Sequence, residues 1–141
     1  MKKRDYFLNY TEEDIEYELT MLIRCRLGMR TYTDLFLQCL CLEGWLLHTR
    51  RLIEVFGLAA LDKKWEKRWG LISEHLSHAN PSNRTDPRPE KRENPEWDAE
   101  EYYYELMDAI REVADRHKSE YAHYDLLVGL LKSAKDAERE Q

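Results

Sequence analysis

The sequence predicts an all-α fold, an up-and-down bundle of four to five helices around a nearly all-apolar second helix. Three observations carry that prediction. The stretch 35–56, LFLQCLCLEGWLLHTRRLIEVF, repeats apolar residues at helical spacing. The segments before and after it hold amphipathic stripes of the same period. The connections between the first three helices are short, which favours antiparallel neighbours.

The first helix is predicted over 12–27. Thr11-Glu12-Glu13-Asp14 has the form of a capping box, with acid placed favourably against the helix dipole. Ile15, Leu19, Leu22, Ile23 and Cys25 or Arg26 mark its inner side, and Gly28 reads as its stop signal. Thr31 or Thr33 is expected to cap the second helix, which runs to Val55 or Phe56 before Gly57.

In that second helix Leu35, Cys39, Leu42, Leu46, Ile53 and Phe56 recur in alternating steps of four and three, Thr49 filling the gap. A second stripe of Cys41, Trp45, His48, Leu52 and Val55 lies alongside. The apolar surface therefore covers well over half the circumference, and a helix of that kind is expected to be surrounded by others. Glu43, His48, Arg50 and Arg51 interrupt it, and the apolar run is too short for a membrane span. Gly44, costing about 1 kcal/mol relative to alanine in mid-helix, points to a neighbouring helix in close approach.

Asp62 is the expected cap of the third helix, whose inward stripe reads Trp65, Trp69, Ile72, Leu76 and Ala79. Asn80-Pro81 ends it. The segment 80–96 holds every proline in the chain and is predicted to be a long, exposed, mobile loop. Asn94-Pro95-Glu96 then starts a fourth helix, with Tyr103, Leu106, Ile110, Val113 and His117 inward. The repeat continues through Glu120, Tyr124, Leu127, Leu131 and Ala134. Two outcomes are open. Either the helix runs on as one arm of about 60 Å, with 119–141 needing a partner along its length, or it bends near 117–119 and packs back as a fifth helix.

A chain of 141 residues suits one domain, 1–141, and 35% charged with 11% aromatic residues is a composition that folds. The net charge of −6 argues against general electrostatic binding to nucleic acid. Cys25, Cys39 and Cys41 are odd in number and sit inside helical patterns, so reduced core thiols in a cytoplasm are expected. The basic start MKKRDYFLNY lacks a following apolar region, so no signal peptide is expected.

No GxSxG, P-loop, HExxH or EF-hand pattern is present. Five histidines remain: His48, His75, His78, His117 and His123. His75 and His78 are neighbours on one helix surface, but neither a zinc nor a di-iron ligand set is complete around them. No metal and no cofactor are expected. The Tyr102-Tyr103-Tyr104 run sits among glutamates, which suits packing better than base stacking.

The run 42–56, LEGWLLHTRRLIEVF, resembles a segment of the form L-E-x-x-L-hydrophobic-H-A-R-N-L-hydrophobic-D-F in small uncharacterised bacterial helical proteins. Leu42, Glu43, Leu46, Leu47, His48, Arg50, Leu52 and Ile53 match it. Thr49 stands where alanine is usual, Arg51 for asparagine and Glu54 for aspartate; Val55 takes the phenylalanine position, with Phe56 one step late. A later helix of that family ends in I-N-x-x-hydrophobic-A-H-L and a basic residue. Ile72, Leu76 and His78 fit, Ser73, Ser77 and Ala79 depart, and Arg84 is a late basic residue. The likeness covers two blocks in the middle of the chain, and it implies a fold rather than a reaction.

More broadly the chain resembles HEPN domains, helical bundles that often dimerise. Many of these are metal-independent ribonucleases with an Arg-x4–6-His motif. The resemblance implies a histidine as general acid/base and an arginine stabilising phosphate charge. Arg68–His75, Arg111–His117 and Arg116–His123 satisfy the spacing. The HEPN pattern prefers a polar residue after the arginine; Trp69 departs from that and His117 conforms. Because His78 shares the third helix, Arg68, His75 and His78 are the catalytic candidates, with His48, Arg50, Arg51 and Arg84 as binding candidates.

The expected function is that of a cytoplasmic, HEPN-like association protein, in a bacterial defence or toxin–antitoxin setting, whose partner is a second copy or another helical protein. The alternative is a metal-independent endoribonuclease using the Arg/His pair of the third helix. RNA is a ligand only under that alternative.

Overall fold

The computed structural model describes residues 12–77 and 99–139. The proline-rich segment 80–96 and the Asn94-Pro95 cap lie outside them. The described residues form α1 (Glu12–Thr31), α2 (Leu35–Val55), α3 (Leu58–Leu61), α4 (Lys63–Ser77), α5 (Ala99–Arg116) and α6 (Tyr124–Arg139). Five long helices make the expected all-α bundle, and α3 is a single turn that the stripe pattern does not reveal.

The hairpin of α1 and α2 is closed by Asp34, whose Oδ1 accepts from the Leu37 N–H at 3.0 Å. Neither threonine takes that role. Thr31 Oγ1 instead donates to its own helix at the Leu27 carbonyl, 3.0 Å away.

Gly28 does not stop α1, which continues to Thr31. A Cβ on Gly28 would lie 2.4 Å from the Cys41 Sγ, and one on Gly44 2.6 Å from the Cys25 Sγ. Each helix thus presents a glycine to the other's cysteine. The glycine at 28 permits close approach rather than termination, and Gly44 is explained by the neighbour its position implied.

At the far end of α2, Gly57 adopts a left-handed φ of 62°, as its place after the last apolar residue implied. After the α3 turn, Asp62 Oδ1 accepts from the Lys64 N–H at 2.8 Å and starts α4.

The long-arm alternative does not occur. α5 ends at Arg116, tight turns bond Glu120 N and Tyr121 N to the His117 carbonyl at 2.9 Å, and α6 packs back. The Tyr103 hydroxyl donates to the Ala134 carbonyl at 3.2 Å, and Lys135 pairs with Asp108 across the two helices. Leu127, Leu131 and Ala134 are buried from this returning direction. A heptad repeat states which side is apolar and is silent about a reversal of the chain between repeats.

Ile15, Leu19, Leu22, Trp45, Leu46, Ile53, Phe56, Ile72, Tyr103, Leu106 and Ile110 are essentially inaccessible and define the core. Each side chain of this size contributes roughly 1.5–3 kcal/mol on burial. On α1, Arg26 is buried and Cys25 half-buried. On α4, Trp65 and Ile72 of the expected stripe are buried and Leu76 partly so, whereas Trp69 is exposed and Arg68 is inside; Ala79 lies outside the described residues. Among the described residues no helix is long and apolar enough to cross a membrane.

Candidate functional site

Arg68 emerges from the buried side of α4 into an aromatic slot. Its guanidinium carbon lies 3.9 Å from the Tyr102 ring centroid and 4.9 Å from that of Trp65. Its Nη1 donates to Glu105 Oε2 at 2.6 Å, and Lys64 Nζ reaches the same oxygen at 2.9 Å. Partial burial works to raise the Glu105 carboxyl. The hydrogen bonds and charges of Lys64 and Arg68 outweigh it and hold the group at about 2. Arg68 is thus a neutralised, stacked cation joining α4 to α5.

The remaining candidates do not gather around it. The imidazole of His75 and the whole of His78 and Arg84 lie outside the described residues. His48 is buried against α1, with Nδ1 2.6 Å from Glu18 Oε2 and the Tyr17 ring edge-on at 5.9 Å. Arg51 reaches the other oxygen of Glu18 at 3.3 Å, while Arg50 lies 3.9 Å from Glu54 on its own helix. Arg50, Arg51 and Arg68 therefore serve acids on three different helices, α2, α1 and α5.

The other two motif pairs are similarly engaged. Arg111 donates to Asp115 at 2.9 Å and Arg116 to Glu112 at 2.9 Å, both within α5. His117 Nδ1 lies 3.3 Å from Glu120, and His123 is exposed in the turn before α6. Cys25, Cys39 and Cys41 are free thiols. Burial, and then the nearby Cys41, push the Cys25 thiol up to about 11; burial also raises Cys41. Both shifts favour the protonated thiol over the nucleophilic thiolate. Among the described residues, no three metal-ligating side chains converge.

Two features of the surface stand out. One is an open groove of about 920 Å³ at the α3 end, lined by Ile53, Leu61 and Trp69 with Glu54, Asp62 and Glu66. The Trp69 Nε1 donates to Glu54 there at 2.8 Å, which explains why this tryptophan stays at the rim.

The other is the closed end of the α1–α2 hairpin. From residue 30 through 41 no residue is fully buried. Leu27 and Tyr32, with Leu35, Phe36, Leu37 and Leu40 at the start of α2, are 37–69% exposed. The expected burial of Leu35 is corrected here, because the buried residues of α2 begin only at Leu42. Phe36, Leu37, Leu40, Leu27 and Tyr32 were not candidates from the sequence. A signal for them existed nonetheless: α2 carries more apolar residues than one helix of a five-helix bundle can turn inward. Six large apolar side chains are exposed at this one end of the hairpin, at the upper end of the patch sizes that monomers carry and that often mark an interaction site.

No family model, no curated protein and no solved structure matches the chain.

Proposed function

We propose that this chain is an association protein, not an enzyme, and that it works by burying the hairpin end of α1 and α2 against a helical protein. The observation that carries this is the row of exposed apolar residues at the start of α2, led by Phe36 at 69% exposure. Water is a poor neighbour for such a surface, and cover by protein releases it. The bacterial defence or toxin–antitoxin setting implied by the HEPN resemblance is one in which an association module of this kind has a use.

Ribonuclease chemistry is supported less well. A phosphate-stabilising arginine needs charge left over for the substrate, whereas Arg68 is already committed to Glu105 between two rings. Purified chain incubated with mixed RNA in EDTA is expected to leave it intact; cleavage that disappears in Arg68→Lys would support the alternative instead.

The association reading is tested by placing a photo-crosslinking phenylalanine analogue at Phe36 or Leu40 in cells, with Glu112 on the outer face of α5 as control. Covalent protein adducts are expected from the hairpin end and none from the control. No adduct from either hairpin position would contradict the proposal.

A further inference from the structure

We infer that the occupant of the hairpin end is a second copy of this chain, packed on the first across a two-fold axis; this rests on the association reading and names its partner. The area is the first reason. Leu27, Tyr32, Leu35, Phe36, Leu37 and Leu40 retain 37–69% of their accessibility. At about 200 Å² for a large side chain, that leaves about 550 Å² of apolar surface. A stable dimer buries about 800 Å² per partner, of which about 65% is apolar in homodimers, or roughly 520 Å². Leu35, Phe36 and Leu37 fan around α2, so one contact covers part of this area, and the hairpin end supplies much of the apolar part of such an interface.

Charge is the second reason. At the surface of residues 24–43, exposed Arg24 and half-buried Arg30 stand against exposed Asp34 and Glu43, while Arg26 is buried. α5, by contrast, carries six acids against two arginines. In a chain of net charge −6, the hairpin end is therefore where two copies meet with little repulsion. Its mixed signs also suit a self-complementary contact, in which exposed Arg24 of one copy approaches an acid of the other. A surface shaped for a strongly charged foreign partner would carry a single sign.

Shape is the third. The end consists of two antiparallel helices, and a two-fold axis beside it is compatible with the four-helix packing that helical bundles favour.

Sedimentation equilibrium of the full chain over a wide concentration range tests this. The wild type is expected to reach twice the 17.0 kDa chain mass. Phe36→Glu with Leu40→Glu is expected to stay at the single-chain mass with unchanged helical circular dichroism. Should the double variant lose its helical signal, Phe36→Lys alone carries the same expectation. Leu61→Glu, at an exposed apolar residue beside the α3 groove, is expected to leave the dimer intact. A dimer that survives Phe36→Glu with Leu40→Glu would overturn the inference. A wild-type monomer that still yields Phe36 photo-adducts with a different protein would overturn the second copy and leave the association reading standing. A monomer with no adducts would overturn both.

Discussion

Residues 42–55 of α2 and residues 35–41 of the same helix make an instructive pair. The later part carries Glu43, Arg50, Arg51 and Glu54 yet holds every buried residue of the helix. The earlier part, LFLQCLC, has a single polar residue and none that is fully buried. Apolarity records what must be covered, and topology decides which chain supplies the cover. Trp69 of α4 donates to Glu54 in the later part at 2.8 Å, and Trp45 there also meets Tyr102 of α5 at a ring separation of 6.3 Å. At the start of α2, by contrast, Leu35, Phe36, Leu37 and Leu40 stay exposed beside α1.

The sharpest way to break this comparison is one truncation in each part. Trp45→Ala removes a core side chain and is expected to cost about 3–5 kcal/mol in urea unfolding, at any protein concentration. Phe36→Ala is expected to act only through association. Its effect on the melting temperature should grow with protein concentration and vanish on dilution. Equal, concentration-independent losses would make the two parts alike.

A smaller effect is expected at the seam between α1 and α2. Gly44→Ala drives a methyl group into Cys25 and Gly28→Ala drives one into Cys41. Each is expected to cost about 1–3 kcal/mol of packing strain, set against roughly 1 kcal/mol gained in helix propensity. Cys25→Ala added to Gly44→Ala should restore part of the loss. Gly70→Ala has open space and is expected to stabilise by about 0.5–1 kcal/mol. Thermal melts of the four variants rank them.

The smallest expected effect concerns Glu105, which is partly exposed. Its carboxyl is held at about 2 in the fold against an ordinary 4.5. As pH falls, the unfolded chain takes up the proton first. The stabilisation is therefore complete above pH 4.5 and lost on descent toward about 2. Glu105→Gln should flatten that part of the stability profile measured by urea titration at successive pH values. An unchanged profile would mean that the Lys64–Glu105–Arg68 cluster contributes nothing to folding.

The bundle was legible because its signals are local. Stripe period, Gly57 as a stop and Asp62 as a cap each depend on a few neighbouring residues. What escaped depends on partners far along the chain. Gly28 carries the residue type of a helix stop, and only the thiol of Cys41 shows that it serves a contact instead. Arg68 and Trp69 flank the same stripe of α4. Hydropathy ranks the tryptophan as the inner one, but Tyr102 and Glu105 on α5 make the arginine the better fit. The candidate site escaped for a related reason. The stripe through Leu35 states which side of the helix is apolar and is silent about whether its own chain covers that side.

Hydrogen exchange of the α2 amides at low and high protein concentration tests the central claim most directly. Protection over residues 38–44 that rises with concentration, while α5 stays unchanged, is the result expected if the hairpin end is an interface. Protection over 38–44 that is the same at every concentration would contradict it.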